Sequence, residues 1–335
     1  MAERMTSAIR ARQQGLALIT AMLVVAIAAT VAVYVSLDQQ VWLRQAQNLS
    51  DREQAEVVRA AAEEWAIIIL DKDAKDSTND NLDENWHKPL PVIPVEGGQI
   101  TGRIDDAQGR FNINNLVLRN NAADIRVFRN LLTSQSINPD LINAVMDWMD
   151  SDSDTRSPDG AEDIDYLQLP TPYRAANQKM ASVDELRLVR GFTPEMVEKL
   201  RPFLTALPKP TDINVNTAPR EVLSALFSFS SSSAVDQFIS GRPYTDPTQV
   251  TKMLAQLLPA NTKPPVGGYT NKSDYFEVNV QTQFGRYQGT SQALIQRGQG
   301  GASLVLWHTR LLPPDIAAGL SKATKKTGTS SGGNI

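Results

Sequence analysis

The sequence predicts an α+β protein: a long N-terminal helix plus an antiparallel β-sheet, with a large all-α domain inserted between the strands. Three observations carry this. Residues 16–70 contain neither proline nor glycine and begin with an unbroken apolar run. Strand-like runs with period-two alternation lie on both flanks of the chain, around Ile100 and from Tyr275 onward. Between them, over residues 117–258, six segments show helical patterning behind Ser, Thr, Asp or Pro starts.

The amino-terminal helix is justified first. Residues 16–37 are 22 positions without a charge, about 33 Å of helix and enough to cross a bilayer core. A secretory signal peptide has a shorter apolar region and a small-residue cleavage site behind it, so cleavage after this run is disfavoured. Arg4, Arg10 and Arg12 outnumber Glu3 ahead of the run, which keeps that end cytoplasmic and sends the body outward. Further on, Val41, Ala55, Val58, Ala62 and Trp65 recur near the helical period, the pattern of a rod with one face on a folded body. An uncleaved signal anchor is the plain alternative.

With Arg10, Arg12, Gly15 and "LALITAMLVVAIAA", this segment resembles the type IV pilin-like proteins. The resemblance implies a prepilin leader at 1–15, cleavage by a prepilin peptidase between Gly15 and Leu16, and methylation of the new amino group of Leu16. It also implies one helix over 16–70, with 16–37 transmembrane. The sequence departs from the pattern at the fifth mature position, where Thr20 stands in place of the usual Glu. That Glu pairs with the terminal amine of a neighbouring subunit during assembly, and Thr20 cannot supply the charge.

After the helix, residues 71–98 are charged and then Pro-rich, which reads as a long surface connection. Ile100, Ile104, Phe111 and Ile113 straddle turn residues 105–109 and predict a hairpin. Three more strands are expected downstream, broken near Gly285 and at 298–301. The strands assign a pilin-like α/β body to 71–116 and 263–316, leaving 117–262 as the inserted helical domain. The tail, 317–335, is small, polar and basic, and is expected to be disordered.

Within the insertion, "SVDELRLVRGFTPEMVEKLRPFLT" and "NVNTAPREVLSALFSFSSSSAVDQFIS" look alike. Both are similar to helix-hairpin-helix (SAM-like) units, which often hold DNA phosphates through backbone amides of a glycine-rich hairpin. Here the hairpins offer only Gly191 and the serine run 228–233, with few basic residues nearby, in a chain of formal charge -4. No nucleic-acid partner is expected, and structural hairpins are the favoured reading. A membrane-anchored DNA-binding protein of uptake type remains the alternative.

The chemistry concentrates in "DWMDSDSDTRSPDGAEDIDYL". Asp147, Asp150, Asp152, Asp154, Asp159, Glu162, Asp163 and Asp165 face one base, Arg156, a local formal charge of -7 over nineteen residues. If the loop is folded, these carboxylates need neutralising, because each close like-charge pair repels by about 1 kcal/mol even in water. Hard oxygens without Cys or His point to Ca²⁺, with Asp150, Asp152, Asp154, Asp159, Glu162, Asp163 and Asp165 as candidate ligands. The spacing of Asp150, Asp152 and Asp154 begins like an EF-hand, but Thr155 replaces its glycine and Ala161 its bidentate Glu. A calcium loop of another geometry is expected, the alternative being a solvated acidic loop.

Catalysis finds no support. There is no cysteine, and His87 and His308 lie far apart, so thiol chemistry and histidine-rich metal centres are excluded. No nucleophile triad, phosphate loop or nucleotide fingerprint is visible. A non-enzyme is expected, against the competing reading of an extracytoplasmic hydrolase using the acidic loop.

The pilin-like start, Thr20, the helical insertion and the segments "VMDWMDSD", "GAEDIDYL", "YRAANQKMASVDELRLVRGF" and "DINVNTAPREVL" together resemble the K-class minor pseudopilins of type II secretion systems. That resemblance covers the chain except its tail. It implies a single-pass inner-membrane precursor with its C-terminal domain in the periplasm and calcium in the head. It further implies a complex with the I- and J-class minor pseudopilins at the tip of the pseudopilus. A bulky domain set on the sheet would block further addition above it in a helical filament.

Overall fold

With no helix breaker to stop it, the first element, α1 (Ala2–Asp76), continues past the expected end at Leu70. The computed structural model describes residues 2–265, 267–298 and 303–311, and the expected tail, 317–335, lies outside them. After α1 come β1 (Ile93–Val95), β2 (Gly98–Asp106), β3 (Phe111–Asn112), α2 (Asn115–Leu118), α3 (Ala122–Ser134), α4 (Leu141–Met149) and α5 (Asp163–Leu167). Then follow α6 (Pro194–Leu200), β4 (Leu204–Thr205), β5 (Ile213–Asn214), α7 (Arg220–Phe227), α8 (Ser232–Ser240) and α9 (Pro247–Leu257). The chain closes with β6 (Tyr269–Thr270), β7 (Tyr275–Phe284), β8 (Tyr287–Gln296) and β9 (Leu304–Leu311).

The sheet is antiparallel in the order β1-β2-β7-β8-β9. Alternation in β7 sends Phe276, Val278 and Val280 inward. They meet Ala66 and Leu70 of α1, together with Ile100, Ile104, Ala293, Ile295 and Trp86. Burial on α1 falls at Ala55, Glu63, Ala66 and Leu70, the helical period. Two residues expected on that face are not on it: Val41 and Trp65 are exposed.

Two further expectations fail. Residues 100–113 make no hairpin: β2 turns back on β1, whereas β3 leaves the sheet and pairs in parallel with β4. Nor are residues 71–98 a surface connection, since Asn79, Asp80, Asn81 and Trp86 are buried. Glu84 holds this segment together, accepting from Ser77 Oγ, Asn81 N and Trp86 Nε1.

The helical region builds a second core, which includes Phe111, Ile113 and Leu116, residues assigned from sequence to the sheet body. Its helices start where cap chemistry puts them: Thr193 ahead of Pro194, and Asp246 ahead of Pro247. Inside it lies an internal repeat. Ile113 N donates to Thr205 O and Val215 N to Thr270 O, each at 2.9 Å, so the parallel pairs β3/β4 and β5/β6 are equivalent. Asn114 then brackets the backbone of Met180, and Asn216 that of Tyr244, each accepting from the N–H at 2.8 Å and donating to the carbonyl. One residue later the match continues, Ala181 N donating to Glu185 and Thr245 N to Gln249 at the start of the next helical turn. The first repeat differs by the long excursion from α4 to Met180, which contains the acidic loop.

The helical region leaves the sheet from the end of β2 and re-enters at the start of β7, where Asp106 lies opposite Phe276. That end of the sheet sits by the C-terminal end of α1, because Arg297 reaches Asp73 and Asp80. The opposite end, at Gly97 and Gly285, abuts Gln54 and Asp51. The helical region is therefore carried at the end of the molecule away from the apolar half of α1.

Candidate functional site: an acidic loop on a membrane-anchored rod

The acidic loop is organised by Asp147, which is fully buried on the last turn of α4. Its carboxylate accepts from Arg156 N at 3.1 Å, Ala161 N at 3.0 Å and Arg156 Nη1 at 2.7 Å. Gly160 makes this closure geometrically possible, since a Cβ there would run into Arg156 O and the Asp147 carboxylate. Arg156 also bonds Asp150.

The structure brings together only part of the predicted ligand set. One carboxylate oxygen from each of Asp150, Asp152 and Glu162 lies within 4.8 Å of the others. Glu162 is 3 % exposed, and its Oε1 has no hydrogen-bond partner; Asp150 Oδ1 is likewise buried and unpartnered. Burial, then the charges of Asp147, Asp150, Asp152 and Asp163, push the Glu162 carboxyl up to about 7. Burial also raises Asp150, against the opposing pull of Arg156. Orphaned anionic oxygens converging in this way are costly unless a cation or proton satisfies them.

Of the other candidates, Asp159, Asp163 and Asp165 have partners elsewhere in the structure. Asp163 pairs with Arg174 at 2.7 Å and caps Ala175 N, Asp165 pairs with Arg190 at 2.8 Å, and Asp159 accepts from Asn138. Asp154 stands outside the cluster, exposed, its N–H donating to Asp152. The partners of Asp163 and Asp165 lie 11 and 25 residues away, which local spacing could not reveal.

Sequence reading missed a second acidic group, Asp73, Asp80 and Glu84. Protein donors already serve it: Arg297 bridges Asp73 and Asp80, Ser273 N donates to Asp80, and Glu84 has the three donors named above. It joins the end of α1 to the sheet and the helical region.

The alternative reading, a DNA-binding surface, gains no support from the hairpin's geometry. Arg187 and Arg201 beside the Gly191 hairpin pair with Asp184 and Glu198, and Arg190 with Asp165. Cations already paired with carboxylates are poorly placed to neutralise phosphates and release the counterions condensed on DNA.

The backbone at Gly15 and Leu16 is helical and continuous with the rest of α1, and Thr20 is exposed on it. The helix is long and apolar enough to cross a membrane, and its apolar stretch is not buried. Beyond that stretch, a groove of about 270 Å³ runs along α1, lined by Val58, Trp65, Ile93, Ile100 and Val280.

A long helix with an exposed apolar half, packed on an antiparallel sheet with a helical double repeat inserted between strands, defines a pseudopilin-like protein. The family described as type II secretion system protein K matches residues 109–209 and, by a second profile, 213–266. These two matches fall on the two structural repeats. Protein K of Pseudomonas aeruginosa is 31 % identical over 313 residues, 89 % of this chain and 92 % of that protein. Protein K of Pectobacterium carotovorum is 33 % identical over 324 residues, 87 % and 98 % of the two chains. The crystal structure of the GspK–GspI–GspJ complex from enterotoxigenic Escherichia coli contains a chain matched with a TM-score of 0.66 at 25 % identity, covering 80 % of this chain and 100 % of that one. The chain belongs to the protein K family of the type II secretion system, the K-class minor pseudopilins.

Proposed function

We propose that this chain is the subunit at the tip of a type II secretion pseudopilus, initiating and capping assembly together with I- and J-class minor pseudopilins. The observation that carries the reading is the helical double repeat at the end of the molecule remote from the apolar half of α1. A subunit with that bulk above its sheet leaves no free upper surface for another to add. The relative solved as a GspK–GspI–GspJ complex supports the choice of partners. The groove along α1 offers apolar surface to neighbouring subunits. Labelling the helical region in overproduced filaments is expected to mark one end only; label along the filament length would refute the placement.

The precursor sits in the inner membrane with a single pass, α1 contacting lipid, and its body lies in the periplasm. Prepilin peptidase cuts between Gly15 and Leu16 and the Leu16 amine is methylated. Mass spectrometry of the mature amino terminus tests this, and a chain that still begins at Met1 overturns it. Thr20, lacking the usual carboxylate, suits a subunit with no neighbour above whose amine must be neutralised.

The oxygens of Asp150, Asp152 and Glu162 fit a hard divalent cation, and we assign them to structural Ca²⁺. Bound there, the ion would neutralise the loop and satisfy Glu162 Oε1, while Arg156 keeps Asp147 paired. Asp154, Asp159, Asp163 and Asp165 are not assigned to it. Thermal unfolding of the full chain in detergent, with calcium and with chelator, tests the assignment.

A further inference from the structure

Immediately after the acidic loop, α5 turns an apolar face outward. Tyr166 points into the core, 1 % exposed, whereas Ile164 is 67 % and Leu167 45 % exposed. At 100° per residue, positions three apart lie about 60° from each other around a helix, so these two side chains share one face. Leu169, also exposed, follows directly. Leu188 joins this neighbourhood through Tyr173, whose ring stacks on Tyr166 and whose hydroxyl donates to Leu188 O. A lone exposed leucine is ordinary, but two apolar side chains on one short element with a third just beyond it mark a contact surface.

The face is rigidly held. Trp148 packs edge-on against both Tyr166 and Tyr173. The ion pairs Arg174–Asp163 and Arg190–Asp165 tie α5 to the segments that follow it. Those pairs also consume the basic groups on its rim. Asp152 and Asp154 are exposed and have no basic partner among the described residues, and Asp152 approaches Glu162, the residue that caps the start of α5. The patch is thus an apolar centre with an acidic border, whose electrostatic complement is cationic.

We propose that the outer face of α5, Ile164 and Leu167 with Leu169, bordered by Asp152 and Asp154, docks a segment of a partner protein that carries lysine or arginine beside apolar side chains. The binding surface is preorganised, so little ordering cost attends docking. With calcium on Asp152 the acidic border narrows to Asp154, while the apolar centre is independent of the metal, because aromatic packing and ion pairs already hold α5.

The test places a photo-crosslinking amino acid at Leu169 of the full chain in secreting cells and sequences the crosslinked peptide. The expected result is one protein adduct, at a peptide richer in Lys and Arg than in Asp and Glu and containing apolar side chains. Adding I164S/L167S is expected to reduce the adduct at least tenfold, and D154K about tenfold. Both variants should keep the parental melting temperature and its response to calcium. An adduct to lipid, to a second copy of this chain or to an acidic peptide overturns the proposal, as does no adduct, or one unchanged in D154K. Because D154K alters one exposed side chain, it remains decisive should I164S/L167S fold poorly. Loss of the calcium response with the adduct intact would count against the metal assignment alone.

Discussion

The repeated asparagine clamp makes a quantitative prediction. Asn114 is fully buried and makes three hydrogen bonds to distant backbone: Met180 N at 2.8 Å, Met180 O at 2.9 Å and Leu207 O at 3.0 Å. Asn114→Ala removes all three and strands those backbone groups in a site too well packed for ready solvation. A stranded buried group costs about 1–3 kcal/mol, so at the low end of that range the three together give a total near 4 kcal/mol. Asn216, with two such bonds to Tyr244, should cost less on truncation, about 2–3 kcal/mol. At about 2–4 °C per kcal/mol for a unit of this size, the melting temperature should fall by roughly 8–16 °C for Asn114→Ala. Near-UV circular dichroism of the full chain in detergent, which reports the packing of Trp148 and its neighbours, follows the transition. A loss below about 1 kcal/mol for Asn114→Ala, or a larger loss for Asn216→Ala, would refute the repeat as a structural clamp.

Other perturbations separate the remaining roles. Calcium at millimolar excess should raise the melting temperature of the wild type, and Glu162→Gln should remove most of that rise; an equal rise in both would eliminate Glu162 as a ligand. Asp73 is held up at about 7 by burial and then by Glu84, against the pull of Arg297. The folded chain therefore holds a proton that the unfolded chain releases near pH 4, and this contribution to stability fades as pH rises through 7. Because Asp73 keeps partial contact with solvent, screening leaves an effect of about 1–2 kcal/mol. Asp73→Asn should flatten the pH dependence and gain stability relative to wild type at pH 8, and an unchanged slope would exclude Asp73 as its source. Thr20→Glu should leave secretion intact; its loss, with processing and the three-protein complex preserved, would show that the position requires Thr rather than merely tolerating it.

Local chemistry made α1 and the helical segments legible. Pro194 behind Thr193, Pro247 behind Asp246, and Ser182 with Glu185 are start signals that act over three or four residues. The parallel pairs β3/β4 and β5/β6 were not legible, because two-residue strands have no period to detect. Their asparagines, which sequence patterns read as turn formers, work here as clamps on backbone 66 and 28 residues away. The burial of Trp86 was hidden for a similar reason: its charged neighbours predict solvent, and only Phe276, packed edge-on against it, shows the apolar pocket. In the acidic loop, composition exposed the need for neutralisation but not its division. Arg156 pairs with Asp147 and with one oxygen of Asp150, and Arg174 and Arg190 take Asp163 and Asp165, so that oxygens of Asp150, Asp152 and Glu162 are left to converge.

The join between the sheet and the helical region bears on the capping role. Asp106, at the end of β2, is 9 % exposed and accepts from Gln108 N, Asn214 Nδ2, Thr217 Oγ1 and Ser273 Oγ, all between 2.6 and 2.9 Å. Next to it, Asn214 also donates to Asp80 O, and Ser273 N to the Asp80 carboxylate that Arg297 holds. Burying such a network adds little net stability compared with apolar packing, because desolvation offsets much of the attraction. Its effect is directional: two apolar surfaces can slide, whereas four donors converging on one carboxylate fix a single orientation. Two covalent crossings, from β2 and into β7, reinforce it. A helical region free to swing would admit another subunit part of the time, but one locked by Asp106 blocks that surface continuously, as a terminal subunit requires.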